Sequence, residues 1–326
     1  MSLIYNATFD KNTRKLSFED KAGNEIYSFT VPERAPAVDD VTKPLTFRAT
    51  QDGSTVKLTK ENSPDGDFQT SRDGGNTWED YTIGRKITLK TGDEVSFRAK
   101  ADRTTEQEYY REYFYFQMTG KIEAWHNVMS LYRTNDFATY NTVVYSTFAH
   151  LFDGCTSLTK APVLPATTLA GYCYDSMFVN CKSLKEAPEL PATTLAASCY
   201  GNMFRGCESL TKAPVLPATT LASNCYYAMF SGCQSLAKAP ALPATTLVDY
   251  CYCTMFSGCQ SLKEVRISAT TKASQFEHGT LDGWLSGVSA TGDFYCKPNA
   301  TIFPTGTSGI PENWTRRNIA DYPTNP

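Results

Sequence analysis

One pentapeptide, Pro-Ala-Thr-Thr-Leu, recurs at 165 to 169, 191 to 195, 217 to 221 and 243 to 247, and the 26-residue interval it marks constrains the fold more than any other feature. The same interval separates Cys155, Cys181, Cys207, Cys233 and Cys259, and again Cys173, Cys199, Cys225 and Cys251. A fixed period without insertions marks stacked coils, because one such unit cannot bury its own apolar face and must rest on the next. At 326 residues the chain has room for that array and for one or two further domains.

Within one copy, Cys173 to Cys181 can be placed on a helical wheel at ~100° per residue. Cys173, Tyr174, Met177, Phe178 and Cys181 then converge on one arc of ~140°, and Asp175, Ser176, Val179 and Asn180 occupy the other side. The pattern predicts a short inward-facing helix in each coil. The segment after it, Ser-Leu-x-x-Ala-Pro-x-Leu-Pro, is short and stopped by prolines, which predicts an extended side with an exit turn. The array is expected to begin near Lys121 with a degenerate coil. Its first clear copy has Thr147 and Leu151 where later copies have Cys and Met. After Leu262 the prolines disappear, and a cap containing Trp284, Phe294, Tyr295 and Trp314 should cover the last coil.

These copies resemble the BspA-like (Treponema pallidum-type) leucine-rich repeats of bacterial surface proteins, which read roughly Ile-Gly-x-x-Ala-Phe-x-x-Cys-x-x-Leu. Phe178, Cys181 and Leu184 fall on that family's Phe, Cys and Leu, Met177 falls on its Ala, and Phe204, Phe230 and Phe256 repeat the match. Cys173 and Tyr174 depart from Ile-Gly, and the period is longer than the family's usual one, though within the ~20 to 29 residues of such repeats. The resemblance implies an α+β fold, a leucine-rich-repeat solenoid preceded by an antiparallel β domain, and a role in surface binding.

The front third reads as strands. Residues 1–42 are expected to form a small β arm (Ile4 to Phe9, Lys15 to Phe18, Glu25 to Val31, with turns at Asn12 and Ala22 to Asn24) followed by a Pro-rich linker. Residues 43–119 alternate as an antiparallel sandwich through Leu45 to Ala49, Thr55 to Leu58, Lys86 to Leu89, Val95 to Ala99 and Tyr109 to Met118. The solenoid takes residues 120–275 and the cap 276–326. Ser71 to Trp78 resembles an Asp-box hairpin, in which Asp binds turn amides, Gly takes positive φ and Trp anchors the turn. A single such box implies a stabilised turn and carries no glycosidase assignment.

Nine of the eleven cysteines lie in the repeat columns and are expected to be buried free thiols, since parallel side chains in a ladder oppose disulfide geometry. Cys253 and Cys296 stand outside the columns, and the wheel puts Cys253 on the outward arc as the better candidate for a reactive thiol. No Cys-x-x-Cys, phosphate-binding Gly-Lys loop, His-Glu-x-x-His or nucleophile elbow occurs, so neither a cofactor, a metal site nor an enzyme is expected. Glu186, Glu189 and Glu208 read as solvated positions that vary between coils.

The formal net charge is −3 with mixed signs, which argues against nucleic acid as partner. No apolar run reaches the ~20 residues of a membrane span, so no membrane insertion is expected. The opening MSLIYNATFDKNTRK lacks a signal-peptide core, which predicts no Sec export unless the chain is a processed form.

Comparing the copies separates scaffold from variable surface. Tyr174, Tyr200, Tyr226 and Tyr252 repeat and should face inward. Tyr172, Tyr227 and Tyr250 do not repeat and are candidate binding residues, as are Lys160, Lys212 and Lys238 in the column Lys160, Glu186, Lys212, Lys238, Glu264. The expected partner is a cell-surface glycan or protein. The leading reading is a non-catalytic phage tail or head fibre component that joins virion proteins through its N-terminal arm, as fibres that are usually homotrimers do. A bacterial cell-surface adhesin and, on the Asp box alone, a carbohydrate-active enzyme are the alternatives.

Overall fold

The computed structural model describes residues 6–10, 15–19, 25–30, 39–60, 67–103, 114–273 and 279–322. Two compact units divide at Asp39. In the first, β1 (Asn6–Asp10), β2 (Lys15–Glu19) and β3 (Glu25–Thr30) form an antiparallel sheet in that order. The turns expected at Asn12 and at Ala22 to Asn24, and the stretch 32–38 of the expected linker, lie outside the described residues.

The second unit opens with a sandwich. Its strands are β4 (Thr46–Ala49), β5 (Ser54–Lys60), β6 (Phe68–Ser71), β7 (Glu79–Asp80), β8 (Ile87–Leu89), β9 (Glu94–Ala99), β10 (Phe114–Thr119) and β11 (Ile122–Trp125). β10, β5 and β8 form one sheet, and β11, β4, β9, β6 and β7 form another that also takes β12 (Leu158–Lys160) from the repeat array. Alternation produces the core: Val56 and Leu58 on β5 and Phe116 on β10 are buried between exposed or half-buried neighbours. Phe47, Phe97 and Phe116 meet edge-to-face at centroid separations of 4.6 to 5.6 Å.

From about residue 145 the chain stacks in coils, and here the expected α+β leucine-rich-repeat solenoid is overturned. Among the described residues the only helical elements are two 3-10 turns, Val128–Leu131 and Ile319–Asp321. Cys173 to Cys181 forms consecutive turns instead of a helix. Asp175, Met177, Val179 and Cys181 donate their N–H groups three residues back, to Tyr172, Tyr174, Ser176 and Phe178. Tyr174, Ser176, Phe178 and Asn180 donate to Cys199, Gly201, Met203 and Arg205 of the next coil at 2.8 to 3.0 Å. Every second amide is thus committed to a neighbouring coil, and an α-helix would require every amide beyond its first turn to bond four residues back within the segment.

The turns explain a second pattern. Positive φ falls on every fourth residue, at Tyr172, Ser176 and Asn180, then Ser198, Asn202 and Gly206, then Asn224, Ala228 and Gly232, then Tyr250, Thr254 and Gly258. Type II turns need positive φ at their third position, which favours Gly and Asn. The series starts with Ser146, His150 and Gly154 and ends with Gly279, Gly283 and Gly287, where all three residues are glycine. Apolar residues at i, i+1, i+4, i+5 and i+8 suit a four-residue turn repeat as well as a helix, which is why the wheel misled.

Stacking builds two aromatic columns. Phe152, Phe178, Phe204, Phe230 and Phe256 lie 5.3 to 5.7 Å apart within 9° of parallel. Tyr174, Tyr200, Tyr226 and Tyr252 lie 5.9 to 6.0 Å apart and are buried, as their repetition predicts. The sandwich closes the near end: Phe116 stacks on Phe152 at 5.5 Å, and its N–H donates to Leu151 O. At the far end Trp284 stacks on Tyr252 and its carbonyl accepts from Phe256 N–H.

The extended side of each coil pairs thinly, because prolines remove donors from the ladder. It forms isolated parallel bridges such as Glu186↔Lys212 and Thr194↔Thr220, and the short strands β13 (Thr246–Leu247) and β15 (Thr271–Lys272). Where the prolines stop, β14 (Glu264–Arg266), β16 (Gly292–Cys296) and β17 (Trp314–Asn318) form a parallel three-stranded sheet that carries the buried Phe294 and Trp314 of the cap.

Candidate binding surface

The turn ladder decides where the candidate tyrosines stand. Tyr172 is 40% exposed and Tyr250 39%, each at the first positive-φ position of its coil, with φ of 56° and 51°. Other coils place Ser146, Ser198, Asn224 or Gly279 there. An L-residue in this region costs ~1 to 2 kcal/mol, and the cost is lowest for Gly and Asn. The ring of Tyr172 lies 5.3 Å from that of Tyr145 on the preceding coil, a partner that the sequence comparison missed. The ring of Tyr250 lies where any side chain on Gly279 would project. Tyr227 is half-buried, in the column of Asp175, Gly201 and Cys253. The structure does not bring the three tyrosines together: Ser198 and Asn224 intervene between Tyr172 and Tyr250.

The lysines belong to a row of charges that crosses the unit from sheet to sheet. Registers link Glu94, Arg48, Glu123 and Lys160, the bridges Glu186↔Lys212 and Lys238↔Glu264 continue it, and Glu264 faces Asp293. Signs mostly alternate. Lys212 Nζ is 3.6 Å from Glu186, Lys238 Nζ is 3.6 Å from Glu264, and Arg317 pairs with Asp293 at 2.6 Å. Lys160 Nζ stands 3.8 Å from the centre of the Trp125 indole, which Arg48 also approaches. Glu208 pairs with Lys182 at 2.8 Å, so two of the three singled-out glutamates are in cross-coil ion pairs. Exposed pairs of this kind contribute ~0 to 1 kcal/mol each.

All eleven cysteines are buried free thiols. In one column the thiol donates to a Phe carbonyl one coil back: Cys181 to Phe152, Cys207 to Phe178, Cys233 to Phe204 and Cys259 to Phe230, at 3.0 to 3.2 Å. Cys155 does the same to Phe116, carrying the pattern onto the sandwich. Burial pushes the Cys207 and Cys259 thiols up to about 12. The outward reading of Cys253 is corrected, since the turn ladder leaves it only 7% exposed and burial raises its pKa.

The Asp-box segment forms the expected turn. Asp73 accepts from Thr77 N–H at 2.9 Å and from the Thr77 and Ser71 hydroxyls, bonds that hold its carboxyl well below the usual range. Gly74 and Gly75 take positive φ, and the Trp78 indole N–H donates to Gly75 O. Among the described residues no three His, Cys, Asp or Glu side chains converge as a metal site. No helix among them is long and apolar enough to cross a membrane. No family model, no curated protein and no solved structure matches the chain.

Proposed function

We propose that the chain is a non-catalytic attachment protein of a phage tail or head fibre, whose coil stack meets a cell-surface glycan or protein. One observation carries this reading. Tyr172 and Tyr250 are large exposed aromatics held in a left-handed backbone conformation, at a position that other coils fill with Ser, Asn or Gly. Strain kept at an exposed side chain points to use of that side chain, and tyrosine brings a large contact area at modest entropy cost. In this reading residues 1–42 join the virion and fibre assembly is trimeric.

The test is binding of the fluorescently labelled full chain to a panel of bacterial strains. The Tyr172→Ala, Tyr250→Ala double variant should lose attachment to the strains that bind while keeping its melting temperature. Undiminished attachment would sink the role of these tyrosines. Light scattering of the full chain, with and without residues 1–42, separates a fibre trimer from a monomeric bacterial surface adhesin.

A further inference from the structure

The exposed feature held identical in four coils is a pair of threonines. Thr167, Thr193, Thr219 and Thr245 form one column and Thr168, Thr194, Thr220 and Thr246 the next, all of them exposed. Thr142 continues the second column at the near end, and Thr270 and Thr271 continue both at the far end. Parallel bridges Thr142↔Thr168, Thr194↔Thr220 and Thr246↔Thr271 hold the second column in register, at a strand spacing of ~4.8 Å.

Core packing does not explain an exposed pair, and internal hydrogen bonding explains little of it. Of the eight repeated hydroxyls only that of Thr246 has a bond within the described residues, to Thr271 Oγ1 at 3.1 Å. The strip is also free of positive charge: the stretches 161–178, 187–204, 213–230 and 239–256 contain no Lys or Arg, and their only charged residues are Asp175, Glu189 and Asp249. The charged row on the same coils is neutralised by its own cross-coil pairs.

We infer that the threonine strip binds a neutral linear polysaccharide lying across the coils, an assignment that rests on the attachment reading above and gives it a ligand class. A threonine offers a hydroxyl that both donates and accepts, beside a methyl group, and a sugar ring presents the same mixture of hydroxyl and C–H. A polymer whose repeat approaches the coil spacing meets an equivalent pair at each step, so affinity grows with chain length. Tyr172 and Tyr250, four residues beyond Thr168 and Thr246, place an exposed ring on the first and last of the four coils that carry the threonine pair. An anionic polymer would find no countercharge on the strip of the four coils that carry the repeated pair.

The experiment is affinity electrophoresis of the full chain through gels containing hydroxyethylcellulose, xylan, mannan or, as an anionic control, alginate. At least one neutral polysaccharide should retard the chain equally at about 0.05 M and about 0.5 M NaCl. Replacing Thr193, Thr194, Thr219 and Thr220 with Val should weaken that retardation about tenfold or more at unchanged melting temperature. Replacing the same four with Ser, which keeps the hydroxyl, should preserve it. No retardation by any neutral polysaccharide, or equal retardation of the Val variant, overturns the inference. Retardation by alginate alone, lost in salt, assigns binding to the charged row and overturns it as well. Strain attachment that depends on the tyrosines without any neutral-polysaccharide binding overturns the strip while leaving the attachment reading intact.

Discussion

The sandwich, residues 45–125, and the coil stack, residues 145–288, share one hydrophobic cluster but satisfy their backbones differently. In the sandwich, partners are set by register between strands distant in sequence, as where Phe114 to Thr119 runs antiparallel to Thr55 to Lys60. In the stack, alternate amides bond three residues back and to the next coil, so each coil repeats one local solution. Glycine shows the difference. Gly120 lies against the backbone of buried Ser54, where an added Cβ would come within 2.9 Å of Ser54 Cα, whereas a Cβ on Gly232 would meet Gly206 Cα at an ordinary 3.6 Å. Gly120 is fixed by a backbone neighbour, whereas the close approaches at Gly201 and Gly206 of the stack are to side-chain oxygens, Asp175 Oδ1 and Asn180 Oδ1.

The most severe way to break this comparison is to remove a stacked ring. Phe204→Ala, in the middle of the Phe column, should cost ~3 to 5 kcal/mol in urea unfolding. Loss of well under 1 kcal/mol would show that the column contributes little to stability. Next, Gly120→Ala should destabilise by ~2 to 3 kcal/mol, because backbone must move as well as adopt positive φ, while Gly232→Ala should cost only ~1 kcal/mol. Equal costs would erase the distinction.

A smaller and opposite effect is expected for Thr254→Gly. Thr254 has φ of 50° and a β-branched side chain, so relief of strain should outweigh the added chain entropy by a few tenths of a kcal/mol, visible as a slightly higher denaturation midpoint. The smallest effects are pH-dependent and of opposite sign in the two regions. Hydrogen bonds hold Asp73 below its ordinary pKa, so its contribution to the sandwich is present above the usual carboxylate range and is lost as pH falls through the lowered value. A hydrogen bond to Asp153 raises the pKa of His150, so its contribution to the first coil is complete below the ordinary histidine pKa and is lost as pH rises through the raised value. Hydrogen exchange at the amides of Thr77 and Asp153 should show faster opening on acidification at the first and on alkalinisation at the second. The same trend at both sites would refute the assignment.

Much of the stack was legible from repetition. The period, the buried Phe and Tyr columns, the buried thiols and the capping tryptophan all follow from apolar residues that recur where only stacking can bury them. The candidate surface was legible in part: Tyr172 and Tyr250 are exposed, but Tyr227 is half-buried and the lysines belong to a paired row. A further sign was present and unused, since Gly279, Gly283 and Gly287 carry the four-residue spacing of positive φ without any side chain.

Sequence by itself determined that this chain stacks in 26-residue coils and that the repeated Cys, Tyr, Met and Phe columns face their interior, because a repeated apolar pattern has one way to leave water. Only the tertiary structure decided what each coil is made of. Turn and helix place the same five residues of Cys173 to Cys181 on one side, and they differ in where the alternate N–H groups find acceptors. That acceptor is a carbonyl on the next coil, 25 residues further along the chain, and no local pattern reports it. The same long-range bonding buried Cys253, and it made the sandwich the near cap of the stack through Phe116.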